Sequence, residues 1–74
     1  DLRGKRSEEA LSDLRSYIDD AILLNQNEVS ILHGKGYGIL RELIREYLET
    51  VDEIRDFGDA PIDMGGSGIT RIYF

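Results

Sequence analysis

The stretch Ser30-Ile31-Leu32-His33-Gly34-Lys35-Gly36-Tyr37-Gly38 decides the fold of this chain. A short apolar run passes through the single histidine into a glycine-rich turn, and an amphipathic segment follows directly. This order predicts a strand, a tight turn and the N-terminus of a helix. Unpaired N–H groups and the positive end of the helix dipole would face an anion docked at such a turn. Because an imidazole and a lysine share the turn, the stretch predicts a phosphate site with an acid/base group beside it.

The apolar pattern outside this stretch predicts two helices and four strands. Three-four spacing predicts the helices, Ser7 is the expected N-cap of the first, and β-branched or aromatic runs predict the strands. In chain order the predicted elements cover residues 1–3, 7–24, 29–32, 37–49, 54–57 and 69–74. The order β-α-β-α-β-β predicts an α/β two-layer sandwich with a four-stranded mixed sheet. We expect the first three strands to be largely parallel, the last to pair back antiparallel on the third, and both helices to cover one face.

Length and composition limit what the chain can be. Its 74 residues make one small domain, residues 1–74, with no room for a second site-bearing domain. The absence of cysteine excludes a disulfide framework and a thiolate zinc site, and a single histidine excludes a multi-histidine metal site. We expect no membrane contact and a cytoplasmic location, since no long apolar run or leader is evident. Because Asp1 begins in mid-pattern, we expect the chain to be a fragment of a larger protein.

Charge argues against a general nucleic-acid binder but leaves a local anion site open. The formal net charge is −6, whereas phosphate recognition usually shows as a basic patch. Residues 1–45 carry seven Lys and Arg against eight Asp and Glu, and residues 46–74 carry two against seven. Six of the seven basic residues of the first part lie near the two loops that precede helices, which predicts a positive rim on an acidic body. These residues are Arg3, Lys5, Arg6, Lys35, Arg41 and Arg45.

Two motifs at a fixed separation carry a family resemblance. Asp1-Leu2-Arg3-Gly4 is followed some thirty residues later by His33-Gly34-Lys35-Gly36. Together they resemble the signatures of the Smr (small MutS-related) domain over essentially the whole chain. The tail Gly65-Gly66-Ser67-Gly68-Ile69-Thr70 looks like the form at the C-terminus of type-two bacterial MutS paralogues. Two departures are the missing leucine before Asp1 and the final Arg71-Ile72-Tyr73-Phe74, which is less aliphatic than the family's last strand.

The resemblance implies a fold similar to the C-terminal domain of translation initiation factor three and an endonuclease activity. The substrate would be branched or structured DNA, with RNA or the ribosome as the alternative. The parent would be a homodimeric MutS-like ATPase in DNA repair, recombination control or ribosome rescue. Its ATP site would lie outside this chain, and the isolated domain is expected to be a monomer.

Roles for the matched residues follow from what phosphodiester hydrolysis needs. His33, with an ordinary pKa near ~6.5, is the expected general base or acid. Asp1 is the expected partner that orients its ring or binds a cation. Arg3 and Lys35, with the N–H groups of residues 34–36 (Gly34 and Gly36 flank the lysine), would hold the phosphate. Arg41 would contact the strand further along, and Lys5, Arg6 and Arg45 would complete the rim. A divalent ion, Mg²⁺ or Mn²⁺, is expected for DNA, whereas the 2′-OH of RNA needs none.

Each of these interpretations has a structural rival. A histidine at a strand end is often structural, and the glycines can serve only the tight turn. The run is neither a dinucleotide fingerprint, because Ile39 replaces its third glycine, nor a P-loop, because no Ser or Thr follows Lys35. Two functional hypotheses therefore stay open. The domain is either a hydrolase that uses His33 and Asp1, or a binding module for nucleic acid or the ribosome that uses the same basic rim without turnover.

Overall fold

The computed structural model describes residues 1–35 and 38–74. Two helices and three strands are joined by short turns, and two single-turn 3₁₀ helices, Ile62–Met64 and Gly66–Gly68, precede the last strand. In chain order the main elements are α1 (Ser7–Leu23), β1 (Glu28–Leu32), α2 (Ile39–Glu49), β2 (Asp56–Asp59) and β3 (Ile69–Tyr73). None of the helices in the described part of the chain is long and apolar enough to span a membrane.

The three strands form an antiparallel sheet with β3 in the middle. β1 pairs with β3 through a register that sets Ile31 opposite Thr70. β2 pairs with the other edge of β3, and this register sets Asp59 opposite the same threonine. Residues directly opposite each other share one face of a sheet. The pairing therefore places Ile31 of β1, Thr70 of β3 and Asp59 of β2 in one row across the sheet.

One face of the sheet is buried beneath both helices, as predicted. The inward residues of β1 and β3 are buried, and their neighbours along each strand are partly or fully exposed. Each helix contributes a buried stripe at three-four spacing, which is the pattern of an amphipathic helix on a core. The fully buried large side chains are Leu14, Ile18, Ile44, Leu48, Thr70 and Ile72. This core places Thr70, a polar residue, among aliphatic side chains.

The observed sheet differs from the predicted one in three ways, the smallest being that β2 covers Asp56–Asp59 instead of residues 54–57. Residues 1–3 are not a strand, and the segment reaches β1 through one backbone hydrogen bond, from Leu2 N–H to Leu32 O at 2.7 Å. β1 and β2 run in the same direction, but β3 lies between them, so both pairings are antiparallel. The reason is that β3 carries the most buried strand residues, Thr70 and Ile72, and therefore takes the centre. The likeness to translation initiation factor three stays a prediction.

The starts of both helices also differ from the predicted ones. Arg6, in an extended conformation, is the N-cap of α1, and Ser7 is the first helical residue. α2 begins at Ile39 after Gly38, which takes a left-handed φ of 80° that favours glycine. The predicted start at residue 37 lies outside the described residues.

Candidate functional site: the His33 turn and the α2 N-terminus

The turn after β1 is held against the turn before β3. The backbone N–H groups of His33 and Gly34 both donate to Gly68 O, at 3.1 and 3.0 Å. Gly34 has a φ of +78°, a backbone conformation that residues with a side chain rarely adopt. The N–H of Gly34 is therefore engaged within the fold. This corrects the expectation that it would be free to hold a phosphate.

His33 is buried, and both of its ring nitrogens are hydrogen-bonded. The ring nitrogen Nδ1 lies 2.8 Å from Gly34 O, and Nε2 lies 2.9 Å from Thr70 Oγ1. Because a carbonyl oxygen only accepts, Nδ1 carries the proton and donates. In the neutral ring, Nε2 then accepts from the Thr70 hydroxyl. Thr70 and Gly34, rather than Asp1, orient the ring.

The surroundings of His33 favour its neutral form. Burial lowers the pKa of His33 below its ordinary value, and the nearby charges of Arg45 and Arg41 lower this pKa further. The hydrogen bond to Gly34 O and the charge of Asp59 oppose these effects without cancelling them. His33 is therefore a neutral imidazole at neutral pH, with its one proton on Nδ1.

A pocket of about 190 Å³ opens beside this turn at the N-terminus of α2. The first N–H groups of a helix lack intrahelical acceptors, and the first such bond of α2 runs from Glu42 N–H to Gly38 O. The N–H groups of the three preceding residues thus point toward the pocket end of the helix, where the dipole is positive. The described residues that line the pocket are Gly4, His33, Gly34, Lys35, Gly38, Ile39, Leu40 and Arg41.

The first motif lies beside the second at this turn, and its Gly4 lines the pocket. A Cβ placed on Gly34 would lie 3.4 Å from Arg3 Cγ, so the stem of Arg3 packs against the turn. The guanidinium of Arg3 pairs with the carboxylate of Asp1, with Nη2 2.8 Å from Oδ2 and Nε 3.1 Å from Oδ1. Both Asp1 oxygens are thereby used by Arg3. The exposed pair lies at the rim of the site.

Two residues of the predicted basic rim lie elsewhere. Lys5 pairs with Asp13 and, at 3.8 Å, with Glu9 on α1. It lines a larger cavity of about 310 Å³ between α1 and β1, which among the described residues does not include His33. Arg6 is exposed in front of α1 and is not among the described lining residues of the His33 pocket. Gly36 was also expected to hold the phosphate and lies outside the described residues.

Two arginines of α2 point at one carboxylate of β2. Arg41 Nη2 and Arg45 Nη2 lie 3.0 and 2.6 Å from Asp59 Oδ1. Arg45 Nη2 also lies 3.5 Å from Thr70 Oγ1, so the cluster touches the hydroxyl that holds His33. The hydrogen bond from Arg41, followed by the charges of both arginines, lowers the pKa of Asp59. Both arginines are half-buried against β2.

The described residues do not form a metal-ligand cluster. Among residues 1–35 and 38–74, no group of three or more His, Asp or Glu side chains is placed to hold a metal ion. Asp1, the expected cation ligand, directs its carboxylate to Arg3.

Sequence reasoning missed Thr70 and Asp59. Thr70 lies within the tail whose family likeness was evident, yet its contact with His33 spans 37 positions in the chain. Asp59 looks like any other exposed acid of the acidic C-terminal part. The place of Thr70 in that tail was the one signal available for this residue, and no signal was available for Asp59.

Comparisons with known proteins agree with this architecture. A family model described as the Smr domain matches residues 1–74. The chain is 47% identical, over all 74 residues, to proteins named Endonuclease MutS2 from Streptococcus pneumoniae strains Hungary19A-6 and D39, and it spans 10% of their length.

Two solved structures are similar to this one. The crystal structure of the Smr domain of Thermus thermophilus MutS2 has a TM-score of 0.93 and 39% identity, with 97% of this chain and 90% of that chain covered. The crystal structure of YdaL, a stand-alone small MutS-related protein from Escherichia coli, has a TM-score of 0.93 and 26% identity, with 99% and 60% covered.

Proposed function

Because the chain belongs to the Smr domain family, we propose that it is an endonuclease domain that hydrolyses phosphodiester bonds of branched or structured nucleic acid. DNA is the proposed substrate and RNA the alternative. The name Endonuclease MutS2 of the similar streptococcal proteins supports this activity.

The observation that carries the proposal is the convergence of the two motifs on one pocket. Arg3 packs against the turn that holds His33, and Lys35 and Arg41 line the same pocket. The N-terminus of α2 faces it as well. Two cationic side chains and a helix N-terminus around about 190 Å³, with the Arg3–Asp1 pair beside the turn, make a site for a phosphate group. The acidic remainder of the chain restricts binding to this site and makes it sensitive to salt.

His33 supplies the acid/base group of the proposed reaction. A neutral imidazole can accept a proton from the attacking oxygen, which is water on DNA or the 2′-OH on RNA, and can then return it to the leaving oxygen. The lowered pKa keeps the ring in the accepting form at neutral pH. Since the Thr70 hydroxyl occupies Nε2, the base acts after that hydrogen bond is exchanged for one to the nucleophile.

The rest of the protein is a matter of prediction. The chain spans about a tenth of the length of the streptococcal relatives. An ATPase region, homodimer formation and a role in DNA repair, recombination control or ribosome rescue are therefore proposed for the longer protein and not for these 74 residues.

A second candidate function has a specific observation in its favour. Both ring nitrogens of His33 are satisfied inside the domain, and the side chain is only 5% exposed. A histidine so placed can serve to fix the turn that shapes the phosphate pocket. The domain would then be a non-catalytic module that binds nucleic acid or the ribosome.

Strand cleavage separates the two candidates. End-labelled DNA and RNA of one sequence, in linear and branched forms, are incubated with the domain and with its His33→Gln variant. Each reaction is run with Mg²⁺, with Mn²⁺ and with EDTA, and the product ends are mapped. For an endonuclease we expect His33→Gln to lose about 10²-fold or more in cleavage rate, as removal of a general base does.

Binding of the same substrates, measured by fluorescence anisotropy, is the control. The endonuclease proposal requires that His33→Gln keep its affinity within about threefold, while Lys35→Ala weakens binding in either case. Thr70→Ser keeps the hydroxyl on His33 and is expected to keep cleavage. Absence of cleavage by the unaltered domain on every substrate would favour the binding module, and cleavage that persists unchanged in His33→Gln would contradict the role given to His33.

A further inference from the structure

The α2 arginines are bound by an acid of their own chain. Asp59 Oδ1 accepts from Arg41 Nη2 at 3.0 Å and Nε at 3.3 Å, and from Arg45 Nη2 at 2.6 Å. Two guanidinium groups thus share one carboxylate oxygen, and the cluster keeps a net charge of +1. An arrangement of two cations around one anion is the arrangement that a phosphate group also takes.

This cluster is continuous with the proposed phosphate pocket. Arg41 is itself a lining residue of the pocket, together with His33 and Lys35. Asp59 stands opposite Thr70 in the sheet, and Thr70 holds the ring of His33. The charges of the cluster are close enough to act on His33. An anion in the pocket therefore lies within reach of at least one of the two arginines that Asp59 holds.

A carboxylate and a phosphodiester are interchangeable partners for this pair. Each carries one negative charge and offers two oxygens to the forked donors of a guanidinium. The side chain of Asp59 is 41% exposed, and ion pairs this open to solvent are weak and exchange readily.

We infer that Asp59 is an internal competitor for the substrate phosphate. In the free domain its carboxylate holds Arg41 and Arg45, and a phosphodiester that enters the pocket takes these donors over. The inference rests on the proposed function for the identity of the anion, and it assigns the role of limiting affinity to a residue outside both motifs.

The competing account gives the opposite sign. If Asp59 only aligned the two arginines and stayed bound to them, its removal would loosen the arginines and weaken binding. The effect of removing the Asp59 charge on affinity therefore decides between competition and alignment.

The experiment compares Asp59→Asn with Asp52→Asn. Both changes remove one negative charge and keep the side-chain shape, and Asp52 is exposed after α2. Affinity for a fluorescein-labelled single-stranded DNA and RNA oligonucleotide is measured by anisotropy at one fixed low salt concentration. We expect Asp59→Asn to bind about threefold to tenfold more tightly, and Asp52→Asn to change affinity by less than about twofold. Arg41→Gln together with Arg45→Gln should abolish the gain.

Equal or weaker binding by Asp59→Asn than by Asp52→Asn would overturn the inference. A second measurement does not depend on the proposed function. Inorganic sulfate is titrated into each variant while the arginine Nε–H resonances are followed by NMR. If neither oligonucleotide binds any variant, the proposed function fails. The inference still stands if sulfate saturates Asp59→Asn at a concentration about threefold or more below that for Asp52→Asn, and it falls if the two concentrations are equal.

Discussion

At the scale of single residues, a buried polar pair connects the core to the candidate site. Thr70 is fully buried, and His33 is nearly so, yet each finds a hydrogen-bond partner in the other. A buried polar group without a partner is costly, so the pair is stable only as a unit. The imidazole is fixed as one tautomer by Gly34 and Thr70. This fixed ring is the feature that the site offers to chemistry.

The stability of the domain should depend on pH through His33. Its pKa is lower in the folded state than the unfolded value near 6.5, chiefly through burial. The unfolded chain therefore binds more protons as the pH falls from about 7 toward the lowered pKa, and the free energy of unfolding decreases over this window. Below the folded pKa the loss levels off, because both states are then protonated.

Urea unfolding of the unaltered domain and of His33→Gln, between about pH 7.5 and 5, tests this expectation. The variant should lack the decrease above about pH 5, where Asp59 with its lowered pKa is still ionised. As a second measurement, the ring C–H signal of the single histidine should titrate with a midpoint below 6.5. A midpoint at or above that value would contradict the assigned environment.

At the scale of elements, the turns position the site more than the helices do. The Gly66–Gly68 turn supplies the carbonyl that accepts from both His33 and Gly34. Gly65, just before it, has a φ of +116°, and a Cβ there would lie 2.8 Å from Ile69 Cγ1. The turn can take this shape only with glycine at that position. The shape of the pocket wall therefore depends on a segment about thirty residues away from the histidine.

Gly65→Ala should destabilise the domain more than Gly4→Ala does. Gly4 also has a left-handed φ, +74°, but nothing lies within 4 Å of a Cβ there. Gly4→Ala should therefore cost only the conformational strain of about 1–2 kcal/mol. Gly65→Ala adds a clash with Ile69 and should cost a further 1–3 kcal/mol or so, as overpacking does. Thermal and urea unfolding of the two variants measure the difference, and equal costs would show that Ile69 can move away freely.

At the scale of the whole molecule, one small core supports everything described above. A chain of 74 residues is expected to have a free energy of unfolding of roughly 4–11 kcal/mol. The core has a single layer of aliphatic side chains between the helices and the sheet. The loss of one such side chain removes a large share of the total.

Leu14→Ala, with Leu23→Ala as its matched control, tests this dependence within one helix. Leu14 is fully buried and Leu23 is 80% exposed, and both belong to α1. Leu14→Ala should lower the free energy of unfolding by about 2–5 kcal/mol, and Leu23→Ala should change it by less than about 0.5 kcal/mol. Chemical denaturation followed by circular dichroism measures both. Similar losses in the two variants would mean that the assigned core face of α1 is wrong.

Much of the fold was accessible from local patterns. The buried positions of α1, which include Leu14 and Ile18, follow the predicted three-four spacing, and the pairing of the last two strands was predicted from their turn. The order of the strands in the sheet could not be predicted from local patterns, because the position of a strand in a sheet depends on how deeply it is buried in the folded domain. Residues 1–3 are not a strand for a related reason, since they make one backbone hydrogen bond to β1 instead of the series of bonds that a paired strand makes.

The sequence by itself determined the class of the domain, the single histidine after an apolar strand, and the glycine turn that leads into α2. These features are local, because periodicity and turn chemistry act over a few residues. Only the tertiary structure decided that Thr70 holds the ring of His33, that Asp59 occupies Arg41 and Arg45, and that Lys5 turns away. Those contacts join residues 8 to 37 positions apart. They form because strand register and helix packing, rather than spacing in the chain, set which charges and hydroxyls meet.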